Sequence, residues 1–188
     1  CLSYEGIRIH CARINRTIHG GYDLIINNER LGYVWNTLLE NGSKLGLQPV
    51  GLEALDVQRL EIGTPSYGID MDENRIPLEV DIDEAISYTK GCYIGQEVVA
   101  RATYLGNVNR KLIGLLFSTK IPAEKGDKVF IADKEVGWIS SSLYSPNLKR
   151  AIAFAYIRKE GWSPGTKVEV SSQSDLKEAI VTKRTFLK

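Results

Sequence analysis

A chain of 188 residues, 43% hydrophobic and 25% charged, has the make-up of a globular protein and enough material for one full domain or two small ones. Its 24 basic and 23 acidic residues leave a net charge of +1, which excludes an overall electrostatic pull toward nucleic acid or an anionic membrane. No apolar run approaches the roughly 18 residues of a membrane-spanning helix, and the three cysteines, Cys1, Cys11 and Cys92, lack the paired spacing of a disulfide framework or a zinc site.

In chain order, Ile7, Ile9, Ala12 and Ile14 place apolar side chains at strand-like intervals up to a Gly20-Gly21 turn. Tyr22, Leu24 and Ile26 alternate behind it as a hairpin partner. Asn27 or Asn28 can cap a helix carrying Leu31, Val34, Trp35, Leu38 and Leu39 at three-to-four spacing, which Asn41-Gly42 ends. This is a β-β-α piece of an α+β fold. Leu52, Leu55, Val57, Leu60 and Ile62 predict a second helix running into an exposed loop with Gly63, Pro65, Gly68 and Pro77. Seven acidic residues lie between Asp70 and Glu84 against one base, Arg75, so the loop reads as solvated. A further helix starting near Gly95 should carry Val98, Val99 and Ala102 inward. After about Gly106 the texture changes to short β-like runs at 112–117, 128–131, 136–139, 151–156, 167–170 and 179–183, the pattern of a small antiparallel barrel or sandwich. The expected domains are 1–107 and 108–188.

Several motifs dissolve on inspection. Asp70-x-Asp72-x-Asn74 opens like a calcium loop, but Arg75 stands where the sharp turn needs Gly and Asp81 where a longer Glu is needed. His10 and His19 have no carboxylate at ligand spacing, so no metal is expected. The sequons at Asn15 and Asn41 lack a secretory signal and read as chance. Reduced thiols point to a cytosol-like compartment. Arg101, Arg110 and Lys111, with Tyr104 among them, are either a solvated face or a holder for a polyanionic tail.

The chemistry concentrates in Lys90-Gly91-Cys92-Tyr93-Ile94-Gly95-Gln96-Glu97, which packs a cation, a thiol, a phenol, an amide and a carboxylate around two glycines. Such a run belongs at a strand-to-helix corner whose backbone passes close to a ligand. Cys92, beside Lys90 and ahead of a helix, is either a reactive thiolate or a buried small hydrophobe. Gln96 and Glu97 can also serve as first-turn partners of free helix N–H groups. Glu61, at the end of the second helix, is either an ion-pair partner for Arg59 or an acceptor aimed into a pocket. A carboxylate there suits an aminopyrimidine ring, because it can accept two parallel N–H bonds.

The octapeptide with Arg101 resembles the signature of the YgfZ-type folate-binding proteins, relatives of the glycine-cleavage T-protein (aminomethyltransferase). Three more blocks extend the resemblance: Gly51-Leu52-Glu53-Ala54-Leu55-Asp56-Val57-Gln58-Arg59-Leu60-Glu61-Ile62-Gly63, Tyr67-Gly68-Ile69-Asp70 with Ile76-Pro77-Leu78-Glu79, and 137–142 followed by Ser145-Pro146. It implies the end of a folate-binding domain followed by a β-barrel. It further implies tetrahydrofolate, or a one-carbon derivative of it, as cofactor, with Glu61 holding the pteridine. Lys90 and Cys92 would face the cavity as the reactive pair, and Lys90, Tyr93, Gln96 and Arg101 would complete the folate wall. The function implied is support of iron–sulfur enzyme maturation or repair, with iron–sulfur client proteins as partners, in the cytoplasm or the mitochondrial matrix. The alternative is a folate-dependent aminomethyltransferase or demethylase. The chain starts at Cys1 rather than Met and reads as part of a longer protein, so the aspartate that T-proteins use for transfer would precede it.

Overall fold

The computed structural model describes residues 1–14, 16–104, 108–172 and 175–187; the sequon at Asn15 and the residues just before the expected 107/108 boundary lie outside them. The chain divides into two compact units, Cys1–Arg59 and Leu60–Lys188.

In the first unit, β1 (Leu2–Tyr4), β2 (Ile7–Arg13) and β3 (Tyr22–Ile25) form an antiparallel sheet in that order. Helix α1 (Asn28–Gly42) follows, its N-cap Asn27 accepting the Glu29 N–H at 3.2 Å. Ile7, Ile9 and Val34 are buried together with Ile26 against them. The rest of the expected helical stripe stays open: Leu31, Trp35 and Leu38 are 48%, 52% and 42% exposed. A three-stranded sheet this short covers one apolar row of the helix and no more.

Helix α2 (Leu52–Glu61) carries the chain across the division, and its last two residues are buried in the second unit. The stretch beyond it is not the open loop of the sequence reading. It holds helix α3 (Pro77–Val80), which starts on the proline whose missing N–H costs nothing there. Helix α4 (Gln96–Tyr104) begins close to the expected place, but Val98 is 55% exposed and none of the helix's residues is buried. The octapeptide's expected strand-to-helix corner is also corrected. A short 3-10 turn, Asp83–Ala85, precedes it, and no strand lies between that turn and α4. Its polar, glycine-broken sequence has no alternating apolar face to pair.

Six strands then close an antiparallel barrel: β4 (Arg110–Phe117), β5 (Lys128–Ile131), β6 (Lys134–Ser145), β7 (Arg150–Arg158), β8 (Lys167–Ser172) and β9 (Asp175–Thr182), in the order β4-β7-β6-β5-β8-β9. All six expected runs are strands, and the fold is mixed α and β as read. The sequence of β7 explains the barrel's build. Ala151, Ala153 and Ala155 belong to the inner core, where a narrow barrel admits small side chains. The alternate residues Ile152, Phe154 and Tyr156 enter a second core with Leu60, Val80 and Leu112. The barrel therefore buries both faces of this strand, one inside itself and one beneath the segment from α2 to α3.

The C-terminal segment returns over that same segment. The Arg184 guanidinium donates to the carbonyls of Gly63 and Asp81 at 2.6 and 2.9 Å and to that of Val80. The N–H groups of Phe186 and Leu187 both donate to the Glu61 carbonyl at 2.9 Å. Gly63 makes the close approach feasible: it sits at φ +87°, and a Cβ there would lie 2.9 Å from the Thr185 nitrogen.

Candidate functional site

Glu61 ends α2 at 2% exposure, with its carboxylate gripped by the turn between β6 and β7. Ser145 Oγ donates to Oε1 at 2.5 Å and Asn147 Nδ2 donates to Oε2 at 2.8 Å. Ser145 is fully buried, and its Oγ accepts the Leu148 N–H at 3.0 Å, so the hydroxyl proton is left to point at Glu61. Glu61 is thus a hydrogen-bond acceptor for the β6–β7 turn, while Arg59 pairs with Asp56 at 2.5 Å. Each carboxylate oxygen takes one side-chain donor, and a carboxylate of this kind has the chemistry to accept two parallel N–H donors.

A second polar cluster went unread in the sequence. Asp70, taken there as part of a solvated acidic loop, is 2% exposed. Its Oδ1 accepts from Ser140 Oγ at 2.8 Å and Ser141 Oγ at 2.6 Å, and its Oδ2 from the Ser66 N–H at 2.9 Å. Two successive serines of one strand ordinarily face opposite sides. Here β6 slips register between Ile139 and Ser141, and this bulge turns both hydroxyls toward one carboxylate. The Tyr156 hydroxyl donates to the Asp70 carbonyl at 2.7 Å, and burial pushes the phenol up to about 12. Arg75 lies over the Tyr156 and Trp138 rings at 5.1 and 5.3 Å, at the edge of a cleft of about 180 Å3 that Asp72 and Lys125 also line. The signal was present in the triple serine after Trp138-Ile139, an odd run for a barrel strand, but it named no partner.

The residues singled out in the octapeptide are arranged differently from Glu61. Lys90 and Cys92 are exposed, and the Lys90 ammonium sits over the Tyr93 ring at 4.5 Å. Gly95, at φ +90°, supplies the left-handed residue that turns the chain into α4 at Gln96. Arg101 pairs with Glu97 one turn away at 2.8 Å, both on the surface, beside a shallow depression of about 380 Å3 bounded by Glu97, Val98, Arg101 and Ala102. Among the described residues, no hydrogen bond, ion pair or ring contact joins Glu61 to Lys90, Cys92, Tyr93, Gln96 or Arg101. Arg110 and Lys111 pair with Glu79 at 3.7 Å and Asp81 at 3.5 Å.

Residues 2–90 match the family model of the GCVT N-terminal domain and residues 110–188 that of the glycine cleavage T-protein C-terminal barrel domain. An aminomethyltransferase of Prochlorococcus marinus is 34% identical over 95% of this chain and 47% of its own length. One of Thermotoga neapolitana is 35% identical over 97% of this chain and 49% of its own. A crystal structure of glycine cleavage system aminomethyltransferase T from Bartonella henselae shares the fold, with a TM-score of 0.81 at 20% identity over 89% of this chain and 46% of that one. The chain spans about half the length of the curated relatives it matches.

Proposed function

The chain belongs to the glycine-cleavage T-protein superfamily, and from that premise we propose that it binds tetrahydrofolate and serves folate-dependent aminomethyl transfer. The relatives named aminomethyltransferase support this reading of the activity over the iron–sulfur one. The observation that carries it within the chain is Glu61, a buried carboxylate whose two oxygens accept from the side chains of Ser145 and Asn147. Its chemistry suits the adjacent ring and exocyclic N–H groups of the pteridine's aminopyrimidine edge. When bound, tetrahydrofolate supplies the acceptor for a one-carbon unit. The chain's own part is to hold the ring: Glu61 fixes its orientation, Ser145 fixes Glu61, and the C-terminal segment fixes the Glu61 backbone.

Lys90, Tyr93, Gln96 and Arg101 are proposed as a second folate-facing wall and Lys90 with Cys92 as its reactive pair, in a domain of residues 1–107 followed by the barrel of 108–188. Lys90 and Cys92 are exposed, as a ligand-facing pair must be before a ligand covers it. A reduced compartment, bacterial cytoplasm or mitochondrial matrix, suits the three free thiols.

A second reading keeps the folate site and assigns the protein to support of iron–sulfur enzyme maturation through client proteins. One observation favours it: Cys92 is an exposed thiol within the octapeptide of the YgfZ-type resemblance. The two separate on turnover of an aminomethyl donor with tetrahydrofolate. Aminomethyl transfer that survives Cys92→Ser supports the transferase; absence of transfer, with folate still bound, supports the maturation role. Glu61→Gln should weaken tetrahydrofolate binding by about 1–3 kcal/mol, the loss expected for a charged acceptor of hydrogen bonds. Unchanged affinity in calorimetry would remove Glu61 from the site.

A further inference from the structure

The two donors on Glu61 differ in a way that assigns them different tasks. Ser145 is buried to 0% exposure, and its hydroxyl is locked from behind by the Leu148 N–H at 3.0 Å, so it has one proton and one direction in which to give it. Asn147 lies one residue past Pro146 on the four-residue turn, and the residue is exposed. Its carboxamide reaches in from the solvent side to Oε2 at 2.8 Å. An sp2 amide N–H2 placed on a carboxylate oxygen is, in its hydrogen-bonding pattern, a copy of the amino group of an aminopyrimidine. With Glu61 itself 2% exposed, Asn147 is also the exposed one of its two side-chain partners among the described residues.

From this we infer that Ser145 is a positioning residue for Glu61, whereas Asn147 is a stand-in that occupies the place of the ligand's amino group and swings out when an aminopyrimidine binds. The inference rests on the reading of Glu61 as the pteridine carboxylate. The turn lets the carboxylate be satisfied in both states. Empty, it has Ser145 and Asn147; loaded, it has Ser145 and the pair of ring N–H donors, and no buried charge is left without partners in either. Freed of Glu61, the Asn147 amide returns to water at little cost.

The two roles give opposite signs in one experiment. Tetrahydrofolate, and separately an analogue lacking the 2-amino group, are titrated calorimetrically into the full chain as wild type, Glu61→Gln, Ser145→Ala and Asn147→Ala, with the thermal midpoint of each recorded. The expected results are a loss of about tenfold for Ser145→Ala, together with reduced discrimination between the two ligands, which general destabilisation would not produce. Asn147→Ala should bind tetrahydrofolate as tightly as wild type or a few-fold tighter, since no competitor has to leave. In the wild type, the Asn147 side-chain amide resonances should shift to those of a solvated amide on saturation. An Asn147→Ala loss as large as that of Ser145→Ala overturns the stand-in, as does an amide resonance that does not move. If Ser145→Ala proves unstable, the exposed Asn147 arm and the resonance decide alone. Binding that is absent in the wild type, or unchanged in Glu61→Gln, defeats the pteridine reading itself and the inference with it.

Discussion

Tyr156 ties the Asp70 cluster to the barrel: its ring stacks 5.4 Å from Trp138, and its hydroxyl holds the Asp70 carbonyl. Burial pushes this phenol from 10.0 up to about 12. Above pH 10 an unfolded tyrosine surrenders its proton while folded Tyr156 keeps it, so the unfolded chain binds fewer protons and stability falls from pH 10 to about 12. Urea midpoints measured across that interval should decline, and Tyr156→Phe should remove this part of the slope. Asp70→Ala strands the donors of Ser140, Ser141 and Ser66, at roughly 1–3 kcal/mol for each one left buried without an acceptor. Its denaturation midpoint should drop well below that of an exposed control, Asp72→Ala. The sequence singled out Glu61 because a lone carboxylate ends an apolar helix run there. It concealed Asp70, because one acid among many in a proline- and glycine-broken stretch reads as solvated until its partners, 70 and 71 residues onward, are known. Long-range hydrogen bonds leave no local period.

Among the elements, β7 is the most informative. Its alternation of alanine with Ile152, Phe154 and Tyr156 is a period-two pattern in which neither face is polar, the mark of a strand buried on both sides. Phe154→Ala empties the second core next to Phe186, whose ring stacks at 6.3 Å, and should cost about 3–5 kcal/mol in denaturant unfolding. Strand β6 was under-read, because its serines suppress the apolar alternation that marked 136–139, and the bulge at Ser140 breaks the period as well. Helix α4 was over-read. Its valines follow the spacing of a buried face, but periodicity reports that a helix has an apolar stripe without reporting what covers it.

For the molecule as a whole, the α+β part and the closed barrel were legible because short strands with regular turns have few alternative closures. The sequence named candidate site residues but not how they are arranged. Glu61 and the octapeptide, expected to share one cavity, share no hydrogen bond, ion pair or ring contact among the described residues, and the chain matches about half of each relative. Function therefore turns on whether Glu61, with its two donors, receives the pteridine. A crystal structure of the protein with tetrahydrofolate bound tests this most directly. The account predicts the aminopyrimidine edge within hydrogen-bonding distance of both Glu61 oxygens, Ser145 still on Oε1 and the Asn147 amide turned away. A pteridine bound elsewhere, with the Glu61–Ser145–Asn147 cluster unchanged, would contradict it.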